Sequence, residues 1–335
     1  MLKNFWYACE FSSAITSKPK QLSLLNQKFV LYRNSKGEAI ALNDVCVHRG
    51  AALSNGWVED NCIRCPYHGW KYQADGACIE IPANQPDVPI PKKTRVNAYP
   101  VQEKYGFVWL FWGDLHEKEC PPLPSFPEVK DSTLRPLQFE FKWNAHYTRL
   151  VENSIDPAHS AFVHANSFGS GMAQKPQLPK YEVRLEDWGG TSFLNLKQHA
   201  PKGIFWRYTH RKKCSEIKTT RTVYMPNVIY SDFERFITFV AHVPVDDCTT
   251  ITKFIQFRSF LTQPWADGIF QKYSLKINQE DQLIVESQHP KIVPYDLTAE
   301  IHTPSDALSL AYRQLRKKCL DMGWGASPQI SQSNY

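Results

Sequence analysis

Two short runs in the first quarter of the chain each pair a thiol with an imidazole: Cys46-Val47-His48 and, after sixteen intervening residues, Cys65-Pro66-Tyr67-His68. Two thiolates and two neutral imidazoles form a donor set for a transition metal. On a [2Fe-2S] cluster with both imidazoles on one iron, they remove negative charge and raise the reduction potential. A structural zinc ion is the rival occupant, although zinc fingers space their cysteines by two to four residues and pair histidine with histidine. Cys62-Ile63-Arg64-Cys65 is also a C-x-x-C, but Cys62 reads as a strand residue.

A second group lies in the run Glu152-Asn153-Ser154-Ile155-Asp156-Pro157-Ala158-His159, which is followed by His164. Asp156 before Pro157 suits an N-cap and first-turn pair, so a helix is expected to start at about residue 157. Residues five apart lie about 140° apart on a regular helix. His159 and His164 can therefore meet at one ion only if that helix ends or distorts near His164. Either histidine alone could be an ordinary satisfied core residue. Further on, an apolar stripe Phe270, Tyr273, Ile277 and Ile284 puts Asp281 on the same helical face, with Glu280 rotated off it. A carboxylate facing a core is costly unless paired or ligated, so Asp281 is either salt-bridged or a third ligand. Two histidines and one carboxylate on one face of an iron leave positions open for O2 and substrate.

These residues need a scaffold. The pattern from Lys28 to Leu42 is a hairpin turned at Asn34 to Gly37, and Trp70 to Ile81 is another, turned at Asp75-Gly76. Val101 to Trp112 reads as a buried strand region, which makes the first third all-β. Prolines at 121, 122, 124 and 127 mark the expected boundary between a domain at 1–120 and one at 121–335. Beyond it, Arg149 to Val163 has helical texture interrupted at Pro157. Strands are expected over Thr191 to Lys197, Lys218 to Tyr224, Phe236 to Val243 and Thr250 to Phe257, with helices over Trp265 to Glu286 and Ser305 to Met322. The segment Ser327 to Tyr335 reads as a polar tail.

Composition narrows the class. At 335 residues the chain suits two domains, and 42% apolar residues argue against disorder. A net charge of +6 is too modest to mark a nucleic-acid binder. It is read as solvated surface, or as a weak preference for an acidic electron-transfer partner. Nine cysteines, an odd number, and no apolar signal segment argue for reduced thiols and a cytoplasmic protein. No run approaches the length of a membrane span.

The segment CVHRGAALSNGWVEDNCIRCPYHGWKYQADGACIEIPA resembles the Rieske domain of ring-hydroxylating and demethylating oxygenases. Arg49, Gly50, Pro66, Tyr67, Gly69, Trp70 and Asp75-Gly76 sit where that family has them. The family's N-x-x-D-x-x-H-x-x-x-x-H motif and late Asp correspond to Asn153, Asp156, His159, His164 and Asp281. EIHTPSDALSLAYRQL also resembles the closing helix region of single-subunit-type members such as vanillate O-demethylase and dicamba monooxygenase. The resemblance implies an α+β chain: an N-terminal all-β [2Fe-2S] domain, then a catalytic domain with an antiparallel sheet and helices around mononuclear iron(II). It assigns Cys46, His48, Cys65 and His68 to the cluster and His159, His164 and Asp281 to iron. Asp156 would carry electrons between His68 of one subunit and His159 of the next in a homotrimer, with Asn153 supporting the iron site. The reaction would be a monooxygenase or dioxygenase reaction using O2 and NAD(P)H-derived electrons from a separate reductase or ferredoxin. Its outcome would be hydroxylation or demethylation of a small ring-containing molecule. Phe162, Phe168, Phe193, Phe205, Trp206 and Tyr224 are candidates to line the pocket, although aromatic residues on strands are more often core. An electron carrier without a second metal, or a zinc-stabilised interaction module, would be the competing classes.

Overall fold

The computed structural model describes residues 1–116, 119–127, 129, 132–168, 182–199 and 214–326, with the side chains of 196–199 and 214–217 excepted. Two compact units emerge, one built on Lys3–Pro121 and the other on Pro122–Gly325.

The first unit contains small antiparallel sheets. One joins β1 (Phe5–Phe11), β11 (Phe107–Trp112) and β10 (Val101–Lys104), so the expected strand region after Val101 resolves into a hairpin. A second runs β2 (Lys20–Leu24), β3 (Gln27–Arg33), β4 (Ala39–Asn43) and β9 (Ala98–Tyr99). Its β3–β4 pair is the hairpin read from Lys28 to Leu42. The Asn34 side chain shapes that turn by accepting the N–H groups of Lys36 and Glu38. The third sheet orders β5 (Trp57–Glu59), β6 (Cys62–Arg64), β7 (Lys71–Tyr72) and β8 (Cys78–Glu80). A core of Val30, Tyr32, Leu42, Leu53, Ile63 and Tyr72 packs beneath it and includes Cys46 and Cys65.

The second unit is a seven-stranded antiparallel sheet in the order β12-β18-β17-β16-β15-β14-β13. The four expected strands lie within β14 (Gly189–His199), β15 (Cys214–Tyr224), β17 (Phe236–Pro244) and β18 (Thr250–Arg258). The sheet adds β12 (Arg135–Trp143), β13 (Glu182–Glu186) and β16 (Val228–Asp232), which the sequence reading passed over. Two long helices take the expected places: α3 (Asp267–Val285) and α4 (Ala307–Asp321). The N-terminus of α3 is pinned to the sheet edge by charge. Arg135 and Arg258 are cross-strand neighbours on β12 and β18, and like charges placed opposite each other repel. Asp267, in the first turn of α3, bridges both guanidinium groups, at 2.6 Å from Arg135 and in a close ion pair with the fully buried Arg258.

The segment Arg149 to Val163 departs from expectation. Helix α1 (Tyr147–Ile155) ends at Asp156, which caps its C-terminus, with its N–H on the Glu152 carbonyl. Asp156 therefore closes the preceding helix instead of opening the next. The Asp156 carboxylate then accepts the Ala158 N–H at 2.7 Å, and the following helix, α2 (Ser160–Val163), is a single turn.

Candidate functional site

In the first unit, the two Cys/His runs form loops of the same backbone design. The N–H of Gly50 closes on the Cys46 carbonyl at 2.9 Å, and that of Gly69 on the Cys65 carbonyl at 3.0 Å. Each cysteine N–H in turn bonds the carbonyl of the residue after that glycine, Ala51 or Trp70. Both glycines have φ of +72, a left-handed conformation that a side chain resists, which accounts for Gly four residues after each cysteine. The cysteines are buried at the loop bases, whereas the imidazoles stand at the tips with ring centroids 4.5 Å apart. Trp70 stacks flat on His48 at 4.4 Å, and Arg64 holds the second loop by donating to the Gly69 carbonyl at 2.9 Å.

The donor set suits a [2Fe-2S] cluster with two imidazoles on one iron. His48 Nδ1 is buried without a hydrogen-bond partner, an uncompensated cost unless a metal takes its lone pair. Burial lowers the His48 pKa, with His68 and Arg49 adding to the effect, so the ring is held neutral. Burial raises the Cys46 thiol, partly opposed by the Tyr72 hydroxyl 3.1 Å from its sulfur. Cys62 lies on β6, as a strand residue.

In the second unit, the break at Asp156-Pro157 explains how residues five apart face one point. His159 precedes the single turn of α2 and His164 ends it with φ −100 and ψ 22, so no regular helix spans both. Their rings lie 5.4 Å apart. Asp281, buried on α3, directs Oδ1 to 3.6 Å from His159 Nε2 and 3.2 Å from His164 Nε2, and the three donor atoms lie within 4.8 Å of one another. Ligands about 2 Å from a shared ion at right angles would themselves be about 3 Å apart, so this spacing fits a facial triad.

Each imidazole also meets a carboxylate on its far edge. Asp156 Oδ2 is 3.4 Å from His159 Nδ1, and Glu280 Oε2 is 2.8 Å from His164 Nδ1. With the Nδ1 proton of His164 directed at Glu280, its Nε2 lone pair faces Asp281, whereas His159 Nδ1 is buried without a hydrogen bond and meets Asp156 only as a nearby charge. Burial opposes protonation of His164, but the Asp281 and Glu280 carboxylates outweigh it and raise its pKa. For Asp156 burial acts upward, and His159, the Ala158 N–H and Arg221 together bring the carboxyl below its usual value.

The supports reach outward. Asn153 donates to Asp281 Oδ1 at 3.3 Å, and Arg221 on β15 donates to the Asp156 carbonyl at 2.9 Å. Ser154 hydrogen-bonds His242 Nε2 at 2.9 Å, while His242 Nδ1 meets Thr252 at 2.8 Å, tying the last turn of α1 to β17 and β18. Burial pushes His242 down to about 3, so this linker is neutral. Arg313 on α4 holds the other face of α1 through Glu152 at 2.8 Å.

One expectation needs correction. The inward face of α3 is Phe270, Ser274, Asn278, Asp281 and Val285, not the apolar stripe through Ile284, which is 49% exposed. Asp281 does face inward, but among polar neighbours: Ser274 donates to Gln256, and the Asn278 amide to the Ser274 carbonyl. Of the aromatic candidates, Phe168 packs on His164 at 4.6 Å, whereas Phe162 is 66% exposed and Tyr224 donates its hydroxyl to the Pro122 carbonyl. Phe193 is also exposed, and Phe205 and Trp206 lie outside the described residues. Ser167 and Arg221 were missed, and Glu280 was set aside as rotated off the apolar stripe. Their only signals were an acidic neighbour to Asp281, a serine three residues beyond His164 and a basic residue within a threonine-rich strand.

Residues 5–100 match the model of the Rieske [2Fe-2S] domain, and residues 143–322 match that of the vanillate O-demethylase oxygenase C-terminal domain. The chain is a Rieske non-haem iron oxygenase. This oxygenase is 31% identical to methylxanthine N1-demethylase NdmA of Pseudomonas putida, over 93% of its own length and 88% of the relative's. Methylxanthine N3-demethylase NdmB from the same organism is 30% identical, over 95% and 89% of the two chains. A solved structure of Pseudomonas putida NdmA with caffeine superposes with a TM-score of 0.77 at 27% identity, covering 96% of this chain and 92% of that one. Dicamba monooxygenase bound to 3,6-dichlorosalicylic acid shares the fold, with a TM-score of 0.78 at 20% identity and coverage of 96% and 99%. The oxygenase is thus an oxidoreductase and the terminal component of its system, which sets aside a carrier of electrons alone. The family's cofactors are a [2Fe-2S] cluster and mononuclear iron, with O2 as co-substrate. Among the described residues no helix is long and apolar enough to cross a membrane.

Proposed function

We propose that this oxygenase oxidatively demethylates a small ring-bearing substrate at an N-methyl or O-methyl group. The observation that carries the site assignment is the meeting of one donor atom each from His159, His164 and Asp281 within 4.8 Å, with a carboxylate behind each imidazole. The substrate class rests on full-length similarity to two methylxanthine demethylases. His159, His164 and Asp281 would hold iron(II), and Cys46, His48, Cys65 and His68 the cluster. When bound, the iron supplies O2 activation and the cluster supplies electrons one at a time.

The chain's own residues hold that chemistry in place. Asn153 fixes the Asp281 carboxylate, Asp156 places its charge beside His159, and the neutral His242 link keeps the end of α1 on the sheet. Asp156 is also the proposed electron conduit from His68 of a neighbouring copy in a homotrimer. In this scheme residues 1–120 carry the cluster and 121–335 the iron. A cytoplasmic reductase or ferredoxin charged by NAD(P)H supplies the electrons.

The overall stoichiometry is one methylated substrate, one O2, two electrons and two protons, giving demethylated product, formaldehyde and water. Hydroxylation of the methyl carbon leaves an unstable hemiaminal or hemiacetal, whose C–N or C–O bond then breaks. The test supplies a reductase, O2 and a panel of N-methylated heterocycles and methoxylated aromatics. Formaldehyde matched to demethylated product, and lost in Asp281→Ala, supports the reading. Hydroxylated rings with no formaldehyde from any methylated compound overturn demethylation.

A further inference from the structure

Glu280 is the neighbour of Asp281, so on α3 the two carboxylates point about 100° apart. Asp281 faces the Nε2 atoms, while Glu280 reaches round to the back of one ring. Glu280 Oε2 lies 2.8 Å from His164 Nδ1 and 2.7 Å from the Ser167 hydroxyl, and the side chain is 17% exposed. Ser167 is itself fixed, because its N–H bonds the His164 carbonyl at 2.9 Å. His164, Ser167 and Glu280 thus close a small ring of contacts, with Phe168 against the imidazole. Of the three, only Glu280 lies on α3, which Asp267 anchors at its other end, while His164 ends α2 and Ser167 follows it.

We propose that Glu280 is a positioning residue that sets the metal affinity of the His164 site, with Ser167 holding its carboxylate on the imidazole. A carboxylate on Nδ1 fixes the tautomer that leaves Nε2 free, sets the rotation of the ring and makes Nε2 a stronger donor. Asp156 faces His159 in the same sense but at 3.4 Å, so the His164 pair is the tighter of the two. The proposal rests on reading His159, His164 and Asp281 as the ligand set.

Glu280→Gln keeps shape and a hydrogen-bond acceptor but removes the charge, so it separates metal affinity from packing. The experiment strips the mononuclear metal with a chelator, leaves the cluster in place, and titrates Co(II) into wild type, Glu280→Gln, Ser167→Ala and His164→Ala. Cluster absorbance and the melting temperature before Co(II) is added report on the fold. The expected result is Co(II) binding about 10- to 100-fold weaker in Glu280→Gln, by analogy with other outer carboxylates. Ser167→Ala would show a smaller loss in the same direction, and both variants would keep wild-type absorbance and melting. Co(II) affinity in Glu280→Gln within twofold of wild type, alongside a loss in His164→Ala, overturns the role of Glu280 alone. Unchanged affinity in His164→Ala overturns the ligand assignment beneath it.

Discussion

Tyr72→Phe removes one hydroxyl from the floor of the cluster site. Tyr72 is fully buried, and its oxygen lies 3.1 Å from Cys46 Sγ. Burial, above all, holds the phenol well above its ordinary pKa, so it stays protonated and available as a donor. A hydrogen bond to a charged group contributes about 1.5–3 kcal/mol, and a sulfur acceptor belongs at the weak end. Only the difference between the two redox states moves the potential, and the reduced cluster, carrying more negative charge, accepts the bond more strongly. A difference of about 0.5–1 kcal/mol, a part of the whole bond, corresponds for one electron to roughly 20–45 mV. Phenylalanine fills the same space and leaves no new buried donor without a partner, so the cluster is expected to remain bound. Potentiometric titration of the cluster signal should therefore show a potential lowered by about that amount. A potential unchanged within about 10 mV, or raised, would refute the claim that the hydroxyl donates to a cluster ligand.

The other predictions concern the catalytic unit. Asp156→Asn keeps the shape of the turn but weakens the charge behind His159, so turnover should fall about 10- to 100-fold with iron retained; unchanged reoxidation of a pre-reduced cluster would contradict it. Asp267→Ala leaves the buried Arg258 without its carboxylate and should destabilise the fold by about 3 kcal/mol in urea unfolding. The same residue gives a pH dependence. Paired with Arg135 and Arg258, its carboxyl is lowered to about 2, so its contribution is fully present above the unfolded carboxyl pKa of about 4 and lost as pH falls towards 2. Asp267→Asn should flatten the wild-type loss of stability across that window, and an unaltered acid profile would count against the assignment.

The sequence was most legible where chemistry and backbone coincide. The two Cys/His loops are contiguous, and each needs its glycine for a left-handed turn, so local composition carries their design. The iron site was harder, because Asp281 lies far along the chain from His164 and only a helical face connected them. That face was misread. α3 buries Ser274 and Asn278 against polar partners, and periodicity in apolar residues cannot see a polar inward face. The same blindness hid Glu280, since a helical wheel gives a direction but not the ring that waits beside it. Asp-Pro was ambiguous for another reason: proline suits a first helical turn and also stops a preceding helix, and here the second use prevails. Strand β12 was readable, with Leu137, Phe139, Phe141 and Trp143 alternating, whereas β13 is almost wholly exposed and offers little pattern.

The central claim, two iron centres in one chain, is tested most directly by metal and sulfide analysis combined with EPR on anaerobically purified, dithionite-reduced protein, comparing wild type with Asp281→Ala. The account predicts about three irons and two sulfides per wild-type chain, with a Rieske-type signal that persists in the variant while about one iron is lost. Zinc without sulfide, or a cluster with no third iron in the wild type, would contradict it.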